Sequence, residues 1–178
     1  MDKVEISKKV KSLGFNDYKW IDANDIIVEN WVRFKCMFGC SSYGVKASCP
    51  PQVPSIQECR EFFSEYHAAV LIHVRKQLKN PEDKDKWGNE INMDLIKLER
   101  DVFLSGYHKA FVMFIDECRL CYECALSRTE CHYKKEARPC PEALGVDVFA
   151  TARRYNYPID VLKDYSNEMN RFAILLVE

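Results

Sequence analysis

The chain has 178 residues, 47% of them hydrophobic, and its 26 basic and 27 acidic side chains leave a net charge of -1. That suffices for one domain with a real core, and the charge balance excludes a polybasic nucleic-acid-binding or membrane-surface protein. The longest apolar runs, 68–72, 110–115 and 172–177, fall far short of the roughly 20 residues a membrane span needs, and the charged start shows no secretory h-region. A cytoplasmic protein is expected.

Val4, Ile6, Val10 and Leu13 recur at helical spacing before Gly14, which predicts a helix over 3–13. From Tyr18 to Phe34 the chain is rich in β-branched and aromatic residues and reads as one or two strands, with Tyr18, Trp20 and Trp31 on an aromatic edge packed in the core. Residues 37–54 hold the glycines, serines and prolines of a loop. Ser55 with Glu58 forms a capping box, opening a helix that carries Ile56, Phe62, Phe63 and Tyr66. His67 to Val74 is a short apolar run expected to be a buried strand, in which His73 is a satisfied structural histidine.

Residues 76–86, with Pro81 among charges, predict a solvated loop. Ile91, Leu95, Leu98 and Val102 place a helix over 90–105, ending at Gly106. Ala110 to Asp116 is a second buried strand and leads directly into Cys118. Residues 117–141 have too few apolar side chains for a core of their own and read as a metal-organised insert. Residues 142–155 predict one helix, or two short ones around Gly145, 160–169 a further helix, and 172–177 a last strand. The fold class expected is α/β, with α+β as the alternative: a single layered domain over 1–178, one mixed sheet flanked by helices, and an embedded cysteine-rich metal-binding loop at 117–141. Strand order is not legible.

Cysteine use is the anomaly. Nine thiols in a cytoplasmic chain of this length do not form a disulfide framework. They bunch: Cys36, Cys40, Cys49 and Cys59 form one group, Cys118, Cys121, Cys124, Cys131 and Cys140 the other, and residues 60–117 contain none. Cys118-x2-Cys121-x2-Cys124 matches the first three members of the bacterial ferredoxin run, in which one tight loop wraps three corners of a cluster. The fourth ligand is open between Cys131, which is nearer, and Cys140. Zinc is the competing metal. Cys121 belongs to both overlapping C-x2-C pairs, which fits the two-hairpin zinc pattern poorly, but His132 keeps a Cys/His site in play. Cys36-x3-Cys40-x8-Cys49-Pro50-Pro51 matches no standard spacing, yet its three thiols on one loop meet the needs of a second metal. There is no G-x-G-x-x-G, P-loop or H-E-x-x-H.

The residues Lys35-Cys36, Cys40, Tyr43-Gly44, Cys49-Pro50-Pro51, Cys118-Arg119-Leu120-Cys121, Cys124, Cys131, Ala137-Arg138-Pro139, Glu142-Ala143 and Gly145-Val146-Asp147-Val148 together resemble the DUF2284 family of predicted metal-binding proteins. The resemblance runs from about Ile26 to the C-terminus. It implies Cys36, Cys40, Cys49, Cys118, Cys121, Cys124 and Cys131 as metal ligands. A serine is usual in the family where Cys140 stands, and Cys59 lies outside the motif. The family has no assigned reaction.

Four of these seven thiols would complete one cubane, leaving three for a second site whose fourth position is vacant or filled by a non-cysteine group. Cys140 or Cys59 could complete it, and thiols from both groups could also mix around one cluster. The leading function is an iron-sulfur protein with one or two [4Fe-4S] clusters, passing electrons to or from a redox partner protein, with no nucleic-acid partner. The alternatives are an enzyme with an open-coordination cluster at Cys36, Cys40 and Cys49, and a zinc-stabilised interaction module.

Overall fold

The computed structural model describes residues 1–78, 80, 82–164 and 167–178. Among the described residues four strands, β1 (Tyr18–Ile21), β2 (Ala69–Lys76), β3 (Phe111–Met113) and β4 (Met169–Leu176), form one open sheet in the order β1-β2-β4-β3. Every pairing is antiparallel. The layered single-domain architecture is therefore the α+β alternative, with an antiparallel sheet where a mixed one was expected. β2 and β4 are the long inner strands, in register from Ala69 opposite Leu176 to Lys76 opposite Met169.

Both faces of the sheet are covered, because the inner strands are apolar on both sides. Val70, Ile72, Ala173 and Leu175 point to a core shared with Ile6 and Val10 of α1 (Lys3–Ser12) and Leu95, Leu98 and Val102 of α4 (Asp83–Leu104). Leu71, Phe172, Ile174 and Leu176 point the other way, to Cys59 and Phe63 of α3 (Ile56–Ser64) and Val148 and Ala152 of α5 (Val148–Arg154). The predicted capping box is present, with Glu58 N–H donating to Ser55 Oγ at 3.2 Å and Ser55 N–H donating to the Glu58 carboxylate at 2.8 Å. His73 is buried and bonded at both ring nitrogens, to Asp17 and Asn170, each at 2.7 Å.

Three expectations change. The segment containing Trp31, Val32 and Phe34 is helical, within α2 (Asn30–Gly39). Edge strand β1 stops at Ile21, and residues 26–28 form no strand ladder but an isolated bridge, Val28 to Val146, so nothing holds the following β-prone side chains extended. Only Val32 of α2 is buried, and Trp31 is 50% exposed rather than in the core. Helix α4 begins at Asp83, inside the expected loop, because Trp87 joins the core and acidic residues favour the first turn; Pro81 lies outside the described residues. No helix forms at 160–164 or 167–168, and Tyr165 and Ser166 of that expected element also lie outside the described residues. No helix among the described residues is long and apolar enough to cross a membrane.

Candidate metal centre

All nine cysteines are described, and all are free thiols. The structure gathers eight of them at one end of the sheet, in two neighbouring sets.

The first set stands on the irregular segment that follows β3. Cys118, Cys121, Cys124 and Cys131 lie close enough together that the last three all act electrostatically on Cys118. Cys131 is buried with Ala47 and Ala137, and Cys118, Leu120 and Cys124 pack against that small cluster. Cys124 Sγ accepts the Ala47 N–H at 3.2 Å. Burial opposes ionisation of Cys124, but backbone N–H groups of Ala47 and Leu126, with the Lys46 charge, outweigh it and hold this thiol below its ordinary value. Burial raises Cys118 and Cys121. A cysteine sulfur supplied with N–H donors inside a four-thiol loop fits a soft, thiophilic metal. Cys131 is thus the fourth thiol of this loop, while His132 is exposed.

The loop is held from behind by α4. Glu99 accepts the Val112 N–H at 2.8 Å and Arg138 Nε at 2.9 Å, and a second contact from the same guanidinium makes the pair two-pronged. Both side chains are largely buried, at 16% and 13% exposure. Asn92, one turn-pair earlier on the same helix, accepts the Ile115 N–H at 3.1 Å, and the Phe114 N–H reaches Pro139 O at 2.9 Å. Strand β3, the Cys118 loop and the return at Pro139 are therefore tied together before any metal is considered.

The second set is assembled from three distant segments. Cys36 sits on the last turn of α2 and Cys40 caps it, its N–H bonding Cys36 O at 3.2 Å, so both thiols share one helix face. Cys49 is buried on the following loop, where Cys49 N–H bonds Lys46 O and Gly44 N–H bonds Pro50 O. Cys140 begins a tight return that runs through the 3-10 turn Glu142–Leu144, with Ala143 N–H bonding Cys140 O at 3.1 Å. These four thiols line one cavity of 340 Å³. Cys36 Sγ donates weakly to Glu142 O at 3.8 Å. Burial pushes Cys49 up to about 12 and raises Cys36 and Cys140, the acidic neighbours Glu117 and Glu142 adding to it. Such thiols stay protonated until a metal displaces the proton, which couples binding here to proton release.

Arg33 is the clamp that brings the segments together. From α2 its Nη2 donates to Pro54 O beyond the Cys49 loop and to Ala143 O beyond Cys140, each at 3.0 Å. Gly145 completes the fit. Its φ of 82° is in the left-handed region, and a Cβ there would stand 2.3 Å from Ile56 Cδ1. Its carbonyl accepts the Glu29 N–H at 2.8 Å, joining the entry of α2 to the 3-10 turn.

The two sets adjoin. Cys118 acts electrostatically on Cys49, and Glu117, which precedes Cys118, lines the cavity and accepts from Ser42 Oγ at 3.3 Å. Burial and the neighbouring Asp116 carboxylate hold Glu117 up at about 7 despite its Arg119 partner. Asp116, although burial opposes its charge, is held low by its bond to Glu117 and by Lys84 and Arg171.

Among the described residues no three His, Cys, Asp or Glu side chains converge as an ion-binding group. Four thiolates on a single ion need sulfurs within about 4 Å of one another, whereas a cluster interposes its own iron and sulfide and takes thiols further apart. Cys59 belongs to neither set: it is buried in the α3 core, its thiol donating to Pro54 O at 3.7 Å. Arg33, Asn92, Glu99 and Arg138 carry no cysteine-like signature. Arg138 shows in the sequence only as part of the Ala137-Arg138-Pro139 segment, and the other three only as polar residues on elements read for their apolar pattern.

No curated protein and no solved structure matches the chain. A family model does, over residues 19–177, which takes in both thiol sets and every segment that positions them. The chain belongs to the DUF2284 family, predicted metal-binding proteins.

Proposed function

We propose that the protein is an iron-sulfur electron carrier, with a [4Fe-4S] cluster on Cys118, Cys121, Cys124 and Cys131 and a second metal centre at Cys36, Cys40 and Cys49. The observation that carries this reading is the four-thiol loop at 118–131, with N–H donation to Cys124 and with its chain ends tied to α4. A cluster so held would supply a one-electron redox couple, taking an electron from a donor protein and yielding it to an acceptor protein. The chain's residues bury the thiols, donate to sulfur and fix the loop, and these are the terms that set a cluster's potential.

Free thiols throughout the chain support a reducing compartment, the cytoplasm. An exposed aromatic stretch on α2 supports a protein partner at this end: Phe34 and Phe38 stack at 6.3 Å, 61% and 77% exposed, beside Cys36 and Cys40.

A second reading rests on the 340 Å³ cavity, which runs past the thiols to Asn170 and Arg171. If one metal position in it lacked a protein ligand, a small molecule could bind there and the protein would be an enzyme.

Anaerobic purification with iron, acid-labile sulfide and zinc analysis tests the proposal. A brown protein with matching iron and sulfide, bleached reversibly by dithionite, is expected. A colourless protein with stoichiometric zinc and no sulfide contradicts it.

A further inference from the structure

We infer that Cys140 is the fourth thiolate of the second centre, so that this chain carries two fully cysteine-ligated sites of four thiols each. The inference rests on the metal reading above and deepens it, because it decides between an open and a closed second site.

Cys140 is ninety-one residues from Cys49 in sequence, yet its side chain lines the same cavity as Cys36, Cys40 and Cys49. The Cys49 and Cys140 thiols are near enough to act on one another electrostatically. Its backbone has little freedom to move away. Phe114 N–H holds Pro139 O on one side, Ala143 N–H holds Cys140 O, and the following turn is pinned by Arg33 and by the approach of Gly145 to Ile56. The alternative completing residue, Cys59, faces the α3 core. Cys131, the other candidate partner for Cys140's role, is enclosed with Ala47 and Ala137 on the Cys118 side. Eight thiols thus partition four and four, and the ninth is structural.

A serine at this position leaves a weaker oxygen donor, or none, and opens one metal site to outside ligands. With cysteine there, all four corners are held by protein, small molecules have no metal position to enter, and the second centre serves electron transfer rather than substrate binding.

The test compares wild type with Cys140→Ala, which cannot ligate, and Cys140→Ser, which keeps a small polar side chain and guards against a folding defect in the alanine variant. Each is loaded anaerobically with iron and sulfide and then treated with ferricyanide, which takes electrons from the cluster and releases any iron lacking a cysteine anchor as ferrous ion. The readouts are iron per chain and the electron paramagnetic resonance of a three-iron cluster. Wild type should keep its iron and stay silent. Cys140→Ala should lose one iron per chain and show one three-iron signal. Equal behaviour of wild type and both variants would overturn the inference, as would a three-iron signal from wild type. If the metal proves to be zinc, the cluster reading falls separately, and Cys140 is then judged by whether Cys140→Ala holds one zinc fewer than wild type. Unchanged zinc would remove it from the ligand set.

Discussion

The two thiol sets differ in how the chain builds them. The 118–131 set is local: four cysteines within fourteen residues, on irregular backbone whose flanks are tied to α4 by Arg138 to Glu99 and by the Ile115 N–H to Asn92. The set at Cys36, Cys40, Cys49 and Cys140 is tertiary. It needs the end of α2, a proline-rich loop and a return from the far side of β3 to meet, and Arg33 and Gly145 are the points where they do. A local site survives damage to the fold better than an assembled one, since its loop closure is short. The sites should therefore fail separately.

The largest effect is expected from the Glu99 and Arg138 pair, which holds the Cys118 loop against α4. Arg138→Ala leaves Glu99 buried without its partner and should cost about 3–5 kcal/mol in urea unfolding of the metal-free protein. A loss below about 1 kcal/mol would show that the loop is not anchored there. Gly145→Ala strains a left-handed position and drives a methyl into Ile56, a cost of about 2–4 kcal/mol. In metal-loaded protein it should deplete the second centre and spare the first, so that iron falls by about half; equal loss from both centres would erase the distinction between local and assembled sites.

Cys59→Ala should cost about 1 kcal/mol as a small core truncation and leave metal content unchanged. Loss of iron would place Cys59 among the ligands. The smallest effect is expected at Asp17, which reaches the cavity wall at Asn170 only through His73. Burial opposes its charge, but hydrogen bonds from His73 and Tyr157 prevail and hold its carboxyl below the usual range. Because the folded-state value is the lower one, the ionised carboxylate stabilises the fold above about pH 4, and the contribution disappears as pH falls through the lowered value. Asp17→Asn should flatten the acid limb of stability in that window and leave neutral-pH metal binding intact; an unchanged acid limb would deny Asp17 this role.

The same contrast explains what could be read from the sequence. The Cys118 triplet carries its geometry in its spacing, which leaves the fourth thiol open between Cys131 and Cys140, and α1, α3 and the inner strands carry theirs in apolar period and caps. Cys140 could not be assigned from spacing alone, because its partners lie about a hundred residues away and only the return through Pro139 and Gly145 brings it to them. The α2 helix was hidden for a related reason. Its residues favour strand, and what decides is the lack of a ladder beyond β1 together with Arg33 reaching two carbonyls, both tertiary facts. Asn92 and Glu99 were likewise concealed inside a helix legible only as an apolar stripe.

The most direct test of two adjacent, fully thiolate-held centres is double integration of the electron paramagnetic resonance signal of the anaerobically loaded, fully reduced protein. Two spins per chain, with the broadening that neighbouring paramagnets impose on each other, are predicted from the proximity of Cys49 and Cys118. One unbroadened spin per chain, with iron and sulfide at about four each, would contradict it.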